Sequence, residues 1–169
     1  MPSLAEINAL DRAAFTAGLG HLFEHSPWVA EETWVRRPFR DATHLHTELC
    51  AAMRGANQER KLALIRAHPD LAGRLAQQNQ LTADSKREQA SAGLSRLTEE
   101  QLSVFNVLNA AYRARFGFPF IICARLNNHA TILGAMRSRV TNSPEREFET
   151  ALAEIEKIAS LRLADILQQ

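Results

Sequence analysis

From Ser143 almost to its end, the chain keeps one rhythm. Phe148, Leu152, Ile155, Ala159 and Ile166 recur at the intervals that place side chains on a single face of an α-helix. "SPER" opens the stretch, with Ser143 at the cap and Pro144 at the first helical position, where its missing N–H costs nothing. A long helix with one apolar stripe must bury that stripe against other elements. One residue breaks the rule: Arg162 falls on the stripe, seven residues after Ile155.

The rest of the chain carries the same punctuation. "SLAE" (Ser3 to Glu6) has capping-box spacing and is followed by Ile7 and Leu10. Asp11 is placed to cap a second helix bearing Phe15, Leu19, Leu22 and Phe23, which "SPW" is expected to end. Leu45, Leu49 and Met53 line a helix that stops near Gly55. Asn57 caps the next, which ends near His68 because Pro69 disfavours helical geometry at the residue before it. "TEEQ" (Thr98 to Gln101) is another capping box, leading into Val104, Phe105, Leu108, Ala111 and Tyr112 and a glycine stop at Gly117. "FGFPFIICAR" reads as an irregular buried crossing, and Asn128 caps "HATILGAMRSRV". The expectation is an all-α fold of about eight helices in one domain, residues 1–169. At this length one domain can bury a proper core.

Charge and composition exclude several function classes. Twenty basic residues stand against 19 acidic ones, for a net charge of +1, without the basic footprint of a nucleic-acid or membrane-surface binder. No apolar run approaches the roughly 20 residues that span a bilayer. The opening "MPSLAEINALDRAAF" alternates charged and apolar residues, unlike a signal peptide, so a cytoplasmic location is expected. Cys50 and Cys123 have no metal-like spacing and read as small buried thiols.

Four features are candidates for chemistry. His68 sits at a forced corner between a helix end and Pro69, where an imidazole projects into a cleft or simply caps the helix. Ser85 and Glu88 have capping-box spacing, and Glu88 with Gln89 also makes a first-turn pair able to grip a polar ligand. Arg162 snorkels out, meets an internal carboxylate, or meets a ligand. Irregular backbone in "FGFPFIIC" needs partners for its N–H and C=O groups, supplied by neighbouring loops, by water or by a ligand. His21 and His25 stand four apart, but no third ligand is placed nearby, and no metal is assigned.

Taken together, "AHPDLAG", "SKREQASAGL", "LNAAYRARFGFPFIICAR" and "IEKIASLRLADIL" resemble one family, 2-oxo-4-hydroxy-4-carboxy-5-ureidoimidazoline (OHCU) decarboxylase, the third step of urate breakdown. The resemblance runs from "FTAGLGHLFEHSPWV" to the final helix. It implies an all-helical, cofactor-free carboxy-lyase giving (S)-allantoin. By position it implies His68, Glu88 and Arg162 as catalytic residues. Pro69, Ser85, Gln89 and the segment Phe120, Ile121, Ile122, Cys123 and Ala124 would meet the substrate. The family motif often begins "PHPD", whereas here Ala67 precedes His68.

The partners implied are a small ureidoimidazoline, with neither nucleic acid nor membrane. A homodimer and a functional link to hydroxyisourate hydrolase are compatible with the resemblance. A non-catalytic helical interaction module, or a related cyclic-ureide enzyme with another product, are the competing readings.

Overall fold

Each long helix of the protein begins on a side chain that satisfies its first free N–H groups. In the computed structural model, which describes residues 2–167, Ser3 and Glu6 close a capping box on α1 (Leu4–Ala9). Asp11 caps α2 (Arg12–Leu19), Asp41 caps α4 (Ala42–Gly55) and the Asn57 side-chain oxygen accepts from the Arg60 N–H at the start of α5 (Gln58–Ala67). Thr82 caps α7 (Ala83–Ser91), Thr98 and Gln101 box α8 (Glu99–Phe116), and Asn128 and Thr131 box α9 (His129–Arg139). The last helix, α10 (Pro144–Ile166), starts with Ser143 accepting from the Arg146 N–H. The fold is all-α, with no strand among the described residues.

Among the described residues there are ten α-helices and three single 3-10 turns, against the eight helices expected. Two short helices account for the difference. "SPW" does not end the second helix. That helix stops at Leu19 and passes into a 3-10 turn over Gly20–Leu22. Pro27 instead stands at the N-cap of α3 (Trp28–Thr33), a place where proline suits a helix start as readily as a stop. The other short helix is the single turn α6 (Arg74–Gln77).

The chain forms two compact units, Met1–Ala67 with Glu156–Gln169, and His68–Ile155. In the first, α2 packs on α3 and α3 on α4. Phe15, Leu19, Leu22, Phe23, Val29, Leu45, Leu49 and Met53 are buried there, and the Phe15 and Phe39 rings stack at 5.9 Å.

In the second unit α8 packs on α9, and an aromatic cluster fills the region after α8. Gly117 ends that helix at φ 73°, a left-handed conformation that glycine adopts without penalty. Residues 117–123 are then non-helical, with Phe118, Pro119, Phe120, Ile121 and Cys123 buried. Tyr112 meets Phe120 edge-on at 5.3 Å and Phe118 at 6.0 Å.

Candidate active site

The corner at His68 is built by sequence-local rules. Helix α5 ends at Ala67, Pro69 prevents its continuation, and His68 is left 6% exposed immediately past the helix. The loop that follows is held from several directions. Asn109 on α8 donates to the Leu71 carbonyl at 2.9 Å. Arg113, one turn on, donates its Nε–H to both Asp70 carboxylate oxygens at 2.8 and 3.0 Å. Ala72 lies at φ 50°, a costly conformation for a residue with a Cβ. Its N–H donates to Gln89 Oε1 at 2.9 Å, and its carbonyl accepts from Gln77 at 3.2 Å. The glycine of "HPDLAG" has a steric reason: a Cβ at Gly73 would stand 2.6 Å from the Asp70 Cβ.

Helix α7 brings Ser85, Glu88 and Gln89. Thr82, not Ser85, is the cap: its hydroxyl accepts from the Ser85 N–H at 3.3 Å. The spacing of Ser85 and Glu88 imitates a capping box, but the helix begins one turn earlier. Ser85 therefore stands inside the first turn, four residues before Gln89, and both are 5% exposed. Glu88 is half-buried between them in sequence. Gln89 is committed to the loop after His68, since its Nε2 also points to the Asp70 carbonyl at 3.4 Å.

The same helix packs against the 3-10 turn Ala124–Leu126, at the end of the irregular segment. Burial pushes the Cys123 thiol up from its ordinary pKa, and the negative charges of Glu154 and Glu88 push the same way. Phe120, Ile121, Cys123 and Ala124 are buried and Ile122 is half-buried. The Cys123 N–H donates to Glu154 Oε2 at 2.8 Å, and the Ile121 carbonyl accepts from Arg139 Nη1 at 2.8 Å. Thus the second unit holds His68, Pro69, Ser85, Glu88, Gln89 and Phe120–Ala124, with Gln89 joining the first group to the second.

Arg162 belongs to the first unit. It does not snorkel: only 3% of it is exposed. Its Nη2 lies 3.0 Å from Glu24 Oε2, and Nη1 donates to the His21 carbonyl at 3.1 Å. The guanidinium is thereby fixed in orientation by a buried carboxylate. His21 and His25 are both exposed, and among the described residues no three metal-ligating side chains gather.

Sequence reasoning missed the partners of these groups. Glu24 carries no local mark, because its pairing with Arg162 spans 138 positions. Glu147 and Glu154, by contrast, leave a readable trace. They alternate with Ala151 and Ile158 at helical intervals, which places two carboxylates on a buried face of α10.

Comparison with known proteins identifies the family. The family model described as OHCU decarboxylase matches residues 8–164. A protein of Haloferax volcanii named 2-oxo-4-hydroxy-4-carboxy-5-ureidoimidazoline decarboxylase is 43% identical, over 96% of this chain and 95% of its own. Its namesake in Halalkalicoccus jeotgali is 40% identical, over 97% and 91%. Among solved structures, a crystal structure of (S)-allantoin synthase superposes with a TM-score of 0.78 at 30% identity, over 99% of this chain and 54% of that one. With a family model spanning nearly all of its length and relatives at this identity, the chain belongs to the OHCU decarboxylase family.

Proposed function

We propose that this protein is a carboxy-lyase that converts 2-oxo-4-hydroxy-4-carboxy-5-ureidoimidazoline to (S)-allantoin in urate breakdown, without a cofactor. The observation that carries the reading is the buried His68, set at a corner that Pro69 forces and that Asn109, Gln89 and Arg113 hold in place. A buried histidine beside a loop held at Asp70, Leu71 and Ala72 suits proton transfer better than capping.

The substrate carbon carries a hydroxyl, a carboxylate and a ring nitrogen, beside a carbon bearing the ureido group. Loss of CO2 leaves an electron pair that spreads into the adjoining imine, so the ring itself is the electron sink. One proton must then arrive on one face. His68 takes the hydroxyl proton and returns a proton to the ring carbon. Glu88 grips the ureido N–H groups or orients His68, and Ser85 contributes a hydroxyl from the same helix. Gln89 shapes the histidine loop through Ala72, which narrows the direct role its amide has toward substrate.

Arg162, oriented by Glu24, meets a ring carbonyl or developing oxyanion. A guanidinium clamped only on the departing carboxylate would stabilise the ground state and slow the reaction. Backbone groups of Phe120–Ala124 complete the binding wall, and Pro69 lines the site. A hydroxyisourate hydrolase is the functional neighbour that supplies the substrate.

The test uses freshly made hydroxyisourate, its hydrolase and this protein, with chiral detection of allantoin. The wild type gives the S isomer. His68→Asn folds normally and loses about 10²–10⁴-fold in turnover, the range of general acid–base groups, and its product drifts toward the racemate. A variant that keeps wild-type rate and pure S product would remove His68 from the chemistry.

A further inference from the structure

Behind the irregular segment lies a buried charged cluster for which the mechanism above has no use. Arg139, in the last turn of α9, sends its Nε and Nη2 to Glu147 at 3.0 and 2.9 Å. Its Nη1 goes the other way, to the Ile121 carbonyl at 2.8 Å, and the guanidinium carbon lies 4.2 Å from the Phe120 ring centre. Glu147 is wholly buried and also accepts from the Tyr112 hydroxyl and from Asn142 Nδ2. Burial pushes the Glu147 carboxyl upward, but the hydrogen bonds from Arg139, Asn142 and Tyr112 outweigh it and hold the group below the ordinary carboxylate range. Burial, then the bond to Glu147, raises the Tyr112 phenol, so Tyr112 stays a donor. The ring of Tyr112 in turn packs edge-on against Phe120.

We propose that Arg139 is a positioning residue: it fixes the Phe120–Ile121 backbone for substrate while Glu147 and Tyr112 fix Arg139. The guanidinium fork is what makes this arrangement work. Three of its N–H groups reach a carboxylate on one side and a carbonyl on the other, a span that a single ammonium nitrogen does not cover. Arg139 acts through the segment, because each of its three nitrogens is engaged on Glu147 or Ile121. Glu154 performs the matching task at Cys123, two residues on, by accepting from its N–H. Together the two side chains pin the carbonyl before Ile122 and the N–H after it. The backbone of Ile122 is therefore the part of the segment presented between two fixed points.

The inference rests on reading Phe120–Ala124 as a substrate-binding wall, so its test runs beside the His68→Asn variant. Arg139→Lys keeps the charge opposite Glu147 and gives up the Ile121 contact. It is expected to retain a cooperative unfolding transition and to raise KM, lowering kcat/KM by about 10- to 100-fold, the scale of a misplacement near 1 Å. A structural defect alone would lower kcat in proportion to the unfolded fraction and leave KM unmoved.

A second variant guards against misfolding. In Arg139→Met with Glu147→Leu both charges leave together, so no buried ion is stranded. Its KM should rise as well. Wild-type KM in both folded variants would overturn the positioning role while leaving the His68 result intact. Full activity of His68→Asn would instead overturn the reading of the site on which the inference rests. Amide exchange gives an independent readout: the Ile122 and Cys123 N–H groups should exchange faster in Arg139→Lys while the α8 core stays protected. Unchanged exchange there also counts against the proposal.

Discussion

Two arginine–glutamate pairs taken out of solvent among the described residues are built differently. Arg162 and Glu24 come from opposite ends of the chain, with side chains 3% and 2% exposed. Arg139 and Glu147 stand eight residues apart, at 12% and 0%. In both, one arm of the guanidinium meets the carboxylate and another meets a backbone carbonyl in non-α backbone, His21 in one case and Ile121 in the other. The shared geometry teaches that a buried arginine here does more than balance a charge. It supplies donors to carbonyls that no helix ladder satisfies.

Breaking the long-range pair should have the largest effect. Glu24→Leu leaves a buried guanidinium without its carboxylate and is expected to cost about 3–5 kcal/mol, read from the urea midpoint at constant slope. Adding Arg162→Met should recover most of that loss, since both charges are then gone. A single variant costing less than ~1 kcal/mol would mean that the pair is not a stability element.

Glu147→Gln should cost less, about 1–3 kcal/mol, because the one amide oxygen still accepts from Tyr112 or from Asn142. Its pH signature separates it from any neutral packing defect. The folded carboxyl is held below its ordinary pKa, so its contribution is present above the unfolded value of about 4.3 and is lost as pH falls through the lower folded value. The gap between wild type and Glu147→Gln should therefore be constant near neutrality and close in acid. A gap that persists unchanged at low pH would remove charge from the explanation.

The smallest effect belongs to a third pair, which sets the scale for the other two. Arg113 and Asp70 are 43% and 25% exposed, and the bond is solvated. Asp70→Asn should cost about 0–1 kcal/mol in stability. A loss as large as that of Glu24→Leu would show that the loop after His68, not the ion pair, is what Asp70 holds.

These pairs also show what the sequence made legible. Arg162 stood out because α10 is long and regular enough for a charge on its stripe to be conspicuous. Glu24 did not, since nothing local marks a carboxylate whose partner lies 138 positions away. Arg139 was hidden for another reason: it sits in "MRSRV" beside Arg137, in a helix end where basic residues are ordinary. The capping boxes at Ser3 and Thr98 were readable, because the hydrogen bonds of a cap are local. Ser85 misled for the same local reason, as Thr82 offers an equally good cap three residues earlier. Pro27 misled because proline marks either end of a helix, and only packing decides which.

The division of the chain bears on how it is made. The second unit, His68–Ile155, is one continuous stretch, whereas the first needs residues from both termini. On a ribosome Glu24 emerges first, yet it has no Arg162 to meet until 138 further residues have been added. The continuous unit can complete its core during elongation; the discontinuous one must wait. A chain stopped short of Arg162 would carry a finished histidine corner and an unfinished first unit. Order of manufacture and order of completion run in opposite directions.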